Sequence, residues 1–194
     1  MNFKERVYSV LVVSSFKKFN EAFSHTLPEA NYYPVNIVTN AAAAKRAMLE
    51  KKYDFVIINA PLSDDFGMRL AIDISSNVSS VVLLIVKADI YADVHAKVVE
   101  YGVMSLAKPA SAQSVLQALQ WMASMRERLR RLEKKTLSFE EKMEEIRIIN
   151  RAKWILIENL NMTEADAHRY IEKQAMDRCV TRKVIAQGII NTYK

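Results

Sequence analysis

Side chains that could contact a polyanion are concentrated in the last third of the sequence. Residues 125–194 include 16 basic and 11 acidic residues, a net charge of +5, whereas residues 1–124 include 12 basic and 11 acidic residues, a net charge of +1. Lysine and arginine donate hydrogen bonds to phosphate oxygens, so this distribution favours a nucleic acid as partner. A solvated helical surface would carry the same charge, and charge alone leaves both interpretations open.

The residue types that enzymes use are sparse. Cys179 is the only cysteine, which excludes an intramolecular disulfide and fits a reducing compartment. The sequence has no cluster of metal ligands, no glycine-rich phosphate loop and no nucleophile–base pair at a recognisable spacing. It also has no secretory leader, and no apolar run reaches about 18 residues. We therefore expect a cytoplasmic protein without membrane contact, catalytic activity, metal or cofactor.

The elements that must position the basic region begin with an alternation of strands and helices. Short apolar runs predict β-strands at 8–13, 32–38, 55–58, 81–86 and 103–106. Helical spacing and capping residues predict helices at 16–27, 41–50, 68–76 and 91–101, and a long helix from Ser111. This alternation predicts an α/β fold, a doubly wound domain with a parallel sheet whose strand order stays open.

Two segments of this half resemble the receiver domain of response regulators, a flavodoxin-like fold. YDFVIINAPLSDDFG (53–67) is similar to the third strand and following loop of a receiver, and LAKPAS (106–111) is similar to its fifth-strand Lys-Pro turn. The resemblance covers about residues 8–124. It implies a pocket at the carboxyl ends of the strands, where receivers hold Mg²⁺ and phosphorylate an aspartate.

The residues at the matching positions depart from that chemistry. Ser14 and Ser15 stand where receivers have acidic residues, and Asn59 stands at the phosphoacceptor position. Lys87 replaces a Ser or Thr, and only Lys108 matches. An amide is a poor nucleophile and adds no charge to hold a hard cation. We therefore predict a pseudo-receiver with a degenerate phosphoacceptor pocket.

Two nearby side chains require separate interpretation. Asp64 and Asp65 lie in the loop before Gly67, where aspartate commonly supports turns, and we favour that structural role over a relocated phosphoacceptor. Lys108 is expected to be a structural remnant that bonds Asn59 or a loop carbonyl.

The long helix has a 3-4 apolar spacing that begins at Val115 and Ala118. It continues through a predicted dimer seam of Met122, Met125, Leu129, Leu132, Phe139, Met143 and Ile146. A period of 3.5 residues is typical of a coiled coil, so we predict a homodimer. Packing of the same stripe within one chain is the alternative. The charged flanks include Arg126, Arg128, Arg130 and Arg131, which we interpret as solvated coiled-coil flanks.

Residues 144–194 predict three helices, with breaks at Asn161 and before Thr181 and a capping-box-like start at Thr163. The segment RAKWILIENLNMTEADAHRYIEKQAMDRCVTRKVIAQGII (151–190) resembles the ANTAR family of transcription antitermination regulators. The resemblance rests on the Ala152-Lys153 pair with Leu156, on Thr163-Glu164-Ala165 before Ala167, on Gln174-Ala175-Met176, and on residues 184–186. A receiver, a coiled coil and this domain, in that order, are the family's usual layout.

The ANTAR resemblance implies binding to paired stem-loops in nascent leader RNA, which prevents a terminator hairpin from forming. The candidate RNA-binding residues are Arg147, Arg151, Ala152, Lys153, His168, Arg169, Lys173, Gln174, Arg178, Arg182 and Lys183. We favour Arg151, Lys153, Arg169 and Lys173 among them. Ala152 is included as a small residue that permits close approach. Trp154 and Tyr170 could stack on bases, but we favour packing in the core for both.

These expectations divide the chain into a pseudo-receiver (1–122), a coiled-coil linker (123–143) and a three-helix ANTAR domain (144–194). The partners expected are RNA, a second copy of the chain and a sensor or regulatory protein on the pseudo-receiver. A small ligand in the emptied pocket is a weaker alternative. A DNA-binding transcription factor and a protein-interaction module controlled by a partner are the competing functions.

Overall fold

The structure, a computed structural model, describes residues 6–76 and 80–193. The chain forms two compact units, of which the first ends at Arg131 and the second begins at Leu132. A membrane-spanning helix would need a long apolar stretch, and no helix in the described residues has one.

The N-terminal unit contains a five-stranded parallel sheet. Its strands are β1 (Tyr8–Val13), β2 (Tyr32–Val38), β3 (Phe55–Asn59), β4 (Val81–Lys87) and β5 (Met104–Lys108). Their spatial order is β2-β1-β3-β4-β5, and all four neighbouring pairs are parallel. This is the flavodoxin-like order, so the predicted doubly wound α/β fold is confirmed.

Four helices connect these strands: α1 (Lys17–Thr26), α2 (Ala41–Glu50), α3 (Met68–Ser75) and α4 (Tyr91–Val98). The long helix α5 (Ala112–Leu160) follows the last strand. Short 3-10 turns at Ala88–Ile90 and Val99–Tyr101 flank α4. The predicted helix at 91–101 therefore ends earlier as an α-helix and closes with a tighter turn.

Alternate residues of the strands build two apolar layers, as the period of a strand requires. Leu11, Val56 and Leu84 face α2, α3 and α4, whereas Val12, Ile57 and Leu83 face α1 and the start of α5. Because both faces are covered, the central strands are apolar throughout. This double burial explains why the sequence shows continuous apolar runs in place of alternation.

The first turns of α5 belong to the second of these layers. Val115, Ala118, Leu119 and Met122 are buried there against the sheet. Met122 is 0% exposed, so its predicted place in a seam between chains is wrong. A 3-4 apolar spacing is compatible with packing on a sheet as well as with packing on another helix. At the start of α5 the apolar residues pack within one chain, which was the alternative interpretation.

An ion-pair cluster attaches α5 to the opposite end of the sheet from the strand-end pocket. Asp54, just before β3, accepts hydrogen bonds from Arg126 Nε (2.8 Å) and Arg130 Nη2 (2.7 Å). Asp54 also accepts from the backbone N–H and the hydroxyl of Ser9. Arg126 is only 9% exposed, so interpreting Arg126 and Arg130 as solvated coiled-coil flanks is wrong.

The second unit contains the end of α5, α6 (Glu164–Asp177) and α7 (Arg182–Thr192). Thr163 caps α6 by accepting from the N–H of Asp166, and Thr181 caps α7 by accepting from the N–H of Val184, which confirms both predicted starts. Asn161 and Cys179 have left-handed backbone angles, with φ of 50° and 51°, and lie where the preceding helices end.

Small and branched side chains fill the core of this unit. The buried residues are Ala152, Leu156, Ala167, Ile171, Ala175, Ile185, Ala186 and Ile190. The α5 helix runs without interruption across both predicted boundaries of the linker, at 122/123 and 143/144. This continuity agrees with the long helix predicted from Ser111, and the division between the compact units lies within it, between Arg131 and Leu132.

Candidate nucleic-acid interface

Polar side chains at the carboxyl ends of β1 and β3 bond one another in the strand-end pocket of the N-terminal unit. Asn59 is buried at the end of β3, and its amide nitrogen donates to Ser14 Oγ at 2.9 Å. Ser14 Oγ also accepts from the N–H of Phe16 at 3.2 Å. An amide in a hydrogen bond to a hydroxyl cannot act as the carboxylate nucleophile that phosphoryl transfer to a receiver needs.

Lys108 has a structural role at the same edge of the sheet. Its Nζ donates to the carbonyl oxygen of Ala60 and lies 5.3 Å from the centroid of the Phe16 ring. The predicted bond to a loop carbonyl is therefore confirmed. Burial, together with the charge of Lys87, lowers the pKa of Lys108. Lys87 and Ser15 are exposed to solvent.

The two aspartates of the adjacent loop already have partners. Asp64 accepts from the N–H of Ala41 (2.8 Å) and of Ala42 (3.1 Å), at the N-terminus of α2, and these bonds lower the pKa of its carboxyl. Asp65 accepts from the N–H of Gly67, whose φ is +97°. The structural interpretation of both residues is confirmed. The described residues include no group of three potential metal ligands.

The basic side chains of the C-terminal unit fall into two groups, and the first group is paired. Lys153 Nζ lies 3.0 Å from Glu164, and Arg169 lies 3.5 Å from Asp166. His168 and Arg182 both contact Glu172 at 3.3 Å, and Arg147 lies 3.8 Å from Glu144. Lys153 is the most enclosed of these, with its side chain 15% exposed.

The second group is exposed and unpaired within the part of the chain that the structure describes. It consists of Arg151, Lys173, Arg178 and Lys183. An unpaired, solvated cation loses less on meeting a phosphate than one that must first leave a carboxylate. Pairing therefore divides the four residues favoured from the sequence: Lys153 and Arg169 are paired, whereas Arg151 and Lys173 are not paired in the described residues.

Comparison with known proteins identifies the C-terminal unit. Residues 138–190 match the family model of the ANTAR domain. The C-terminal unit is an ANTAR domain. The transcriptional regulatory protein PdtaR of Mycobacterium tuberculosis is 29% identical over 143 residues, which cover 73% of this chain and 69% of that protein.

Solved structures resemble the N-terminal unit. A signal receiver domain of an HD domain-containing protein from Pseudomonas fluorescens Pf-5 matches with a TM-score of 0.58 and 22% identity, over 68% of this chain and 96% of that one. A CheY-like receiver from Methylobacillus flagellatus matches with a TM-score of 0.52 and 22% identity, over 60% and 98%. The chain thus joins a receiver fold to an ANTAR domain, which is the layout of an ANTAR response regulator.

The ANTAR domain places several candidate residues differently from the sequence analysis. Ala152, which the sequence analysis included as a small residue permitting close approach of a helix or of RNA, is fully buried; it serves close packing of the three helices, and its place in the RNA-binding set is wrong. Trp154 is 64% exposed and Tyr170 is 40% exposed. Core packing was therefore the wrong interpretation for both aromatic residues, because their helical spacing places them beside the buried positions.

The ANTAR domain also has a groove that the sequence analysis missed. The groove has a volume of about 550 Å³ and lies between the end of α5, α6 and α7. Tyr170, Gln174 and Arg178 line one side of it, and Gly188 lines the α7 side. The spacing 170/174/178 is the only sequence signal, and it indicates a shared helix face without showing that the face is hollow.

Beyond the sheet, the apolar stripe on α5 is open to solvent. Leu129 packs partly against the N-terminal core, and Met125 is half-exposed. Leu132, Phe139, Met143 and Ile146 are all exposed, Phe139 by 66%. A row of large apolar side chains at a spacing of three and four residues is unusual on a free helix surface.

Proposed function

We propose that this protein is a dimeric, RNA-binding antitermination regulator that binds paired stem-loops in nascent leader RNA. The observation that carries the proposal is the ANTAR domain at 138–190 with its exposed, unpaired cations. The relationship to a protein named as a transcriptional regulator supports the same process. The protein acts as a regulator and catalyses no reaction.

RNA is favoured over duplex DNA by the form of the cationic surface. The unpaired residues are distributed over the ends of α5 and α6 and the start of α7, and no single helix carries the whole set. RNA loops are recognised by shape, phosphate contacts and unstacked bases, and such contacts suit cations spread over several helices. Major-groove recognition would require one helix to carry most of the contacting side chains.

Dimerisation follows from the exposed stripe on α5. A second copy of the helix would bury Leu132, Phe139, Met143 and Ile146, each of which is worth about 1.5–3 kcal/mol on full burial. Two copies of the ANTAR domain on one dimer would hold two adjacent hairpins, and avidity would then favour the RNA conformation with both hairpins formed.

Control of the regulator would come from a partner protein on the N-terminal unit. Receiver domains interact with partner proteins, and in this chain the acceptor position is an amide bonded to Ser14. A sensor that recognises the receiver fold could act without transferring a phosphoryl group. The proposal thus keeps the docking function of a receiver and removes its phosphorylation chemistry.

A binding measurement with matched variants tests the RNA assignment. Fluorescence anisotropy would compare the full chain on tandem hairpins, selected from a pool with randomised loops, and on duplex DNA with the same number of phosphates. We expect tighter binding to RNA. Arg151→Gln combined with Lys173→Gln should weaken it roughly tenfold and lower its salt dependence.

The matched control is Lys153→Gln with Arg169→Gln, which removes the same charge from residues that pair with Glu164 and Asp166. This control should weaken RNA binding less than the first pair. Equal or tighter binding to duplex DNA would contradict the proposal in favour of a DNA-binding factor. If the unmodified chain binds neither the RNA nor the duplex DNA, the result would favour a protein-interaction module.

A further inference from the structure

The groove of the ANTAR domain has the chemistry of a binding site. Leu156, Ile185 and Ile189 give it an apolar floor, and Tyr170, Gln174 and Arg178 form a polar side. Its volume of about 550 Å³ lies within the usual range for small-ligand sites. No aspartate or glutamate is among the lining residues, so an anionic ligand meets no repulsion from the walls.

The polar side of the groove is unoccupied by the protein's own contacts. In the described residues the side chains of Tyr170, Gln174 and Arg178 take part in no hydrogen bond or ion pair. By contrast, Arg182 on the next helix pairs with Glu172. Two polar side chains of α6 and one at its C-cap, at intervals of four residues, therefore point to a ligand and not to an internal network.

A glycine on α7 lines the groove. Gly188 lies inside the helix, where glycine is less favourable than alanine, and its backbone angles are not left-handed. A Cβ built at Gly188 would meet no heavy atom within 4 Å, so packing does not require a glycine there. Because Gly188 lines the groove, we expect a large side chain at this position to take up space in it.

We infer that this groove binds a single unpaired nucleobase of an RNA loop, an inference that rests on the proposed function. Bases that leave the stack in RNA loops are recognised by aromatic rings and by hydrogen bonds to their edges. Tyr170 provides the ring, and the amide of Gln174 provides both a donor and an acceptor for a base edge. Arg178 binds the phosphate of the same nucleotide.

Substitutions at Gly188 test the groove without weakening the helix. Gly188→Leu fills the groove, whereas the control Gly188→Ala adds one methyl group in open space, and both residues favour a helix more than glycine does. On the selected tandem-hairpin RNA, we expect Gly188→Leu to bind roughly 10- to 100-fold more weakly than the unmodified chain. Gly188→Ala should weaken binding much less than Gly188→Leu does, because the methyl group takes up much less space than the leucine side chain.

The nucleobase is tested by replacing loop nucleotides of that RNA, one at a time, with abasic nucleotides. One position should lose affinity by a similar factor, and its loss should not add to that of Gly188→Leu, because both changes remove the same contact. Tyr170→Ala should couple to the same position, and Tyr170→Phe should retain most of the binding.

The outcomes separate this inference from the proposed function. If Gly188→Leu and Tyr170→Ala bind the RNA as the unmodified chain does, the groove is not used and the inference is overturned, while RNA binding stands. If Gly188→Leu weakens binding but no abasic position couples to it, the groove holds another part of the RNA and the nucleobase assignment is overturned. If the unmodified chain prefers duplex DNA, the proposed function itself fails.

Discussion

Polar side chains at the two ends of the receiver sheet bond one another, with Asn59 Oδ1 left as a buried atom without a partner, whereas those in the groove of the ANTAR domain bond no other group in the described residues. Asp54 is bonded to Arg126 and Arg130 at one end, and Asn59 is bonded to Ser14 at the other. In the ANTAR groove, Tyr170, Gln174 and Arg178 face open space.

This difference indicates what each set of residues is for. A polar group that is buried with its partners holds the fold in one arrangement, since removing either partner leaves an uncompensated group. A polar group left free beside an apolar floor costs little in the folded chain and is available to a ligand. We therefore expect substitutions in the N-terminal unit to change stability, and substitutions in the ANTAR domain to change binding.

The largest expected effect comes from disrupting the apolar stripe on α5, because dimerisation through this stripe would let two ANTAR domains bind one RNA together. Phe139→Asp combined with Ile146→Asp should convert the dimer to a monomer, as measured by sedimentation equilibrium. Affinity for the tandem hairpins should then fall by roughly 10²- to 10⁴-fold, while affinity for one hairpin changes little.

The control for this change is Leu137→Asp, which adds a charge at an equally exposed leucine that lies outside the 3-4 spacing. The control should remain a dimer. A monomeric mass for the unmodified chain at micromolar concentration would contradict the seam and leave the avidity argument without support.

The second expected effect is on the stability of the N-terminal unit. Asp54→Ala leaves Arg126 buried without its carboxylate, and we expect it to lower the free energy of unfolding by about 3 kcal/mol. Urea unfolding would measure the loss. Glu140→Ala, a substitution of an exposed acidic residue on α5 beyond the N-terminal unit, is the control and should cost less.

The Asp54 contribution should also depend on pH. Although burial of its carboxyl acts to raise the pKa, hydrogen bonds from Arg126 and Ser9 and the charge of Arg130 lower the net value below that of the unfolded chain. The stabilisation is therefore fully present above a pH of about 4 and is lost as the pH falls through the folded pKa. Asp54→Ala should remove this part of the acid dependence.

The last prediction concerns the strand-end pocket, where we expect no phosphorylation at all. Incubation of the full chain with acetyl phosphate and Mg²⁺ should give no phosphorylated species by intact-protein mass spectrometry, because Asn59 provides no carboxylate. A phosphoryl group located at position 59 or at Asp64 would refute the pseudo-receiver. Neither result tests binding in the ANTAR groove, so this experiment concerns the N-terminal unit alone.

Local patterns predicted most of the fold correctly. The strands have a strong apolar signal, and Thr163 and Thr181 mark helix starts because their hydroxyls accept from the backbone N–H three residues on. The resemblance to receivers placed Asn59 and Lys108 at one edge of the sheet, and both lie at the carboxyl ends of their strands in the structure.

The errors arose where one pattern serves two kinds of packing. A 3-4 stripe fits a sheet and a partner helix equally, so Met122 was assigned to a seam although it is buried against β-strands. Trp154 lies beside a buried helical position and was assigned to the core, but it is exposed. The pairing of Asp54 with Arg126 spans 72 residues, and no local spacing could reveal it.

Cys179 ends α6 with its backbone in a left-handed conformation, and its thiol is exposed. It directly follows Arg178, which lines the groove, and it is the only thiol in the sequence. A maleimide dye would therefore label the natural chain at a single position without removal of any other cysteine. The sequence thus contains its own attachment point for an optical reporter beside the surface where RNA is proposed to bind.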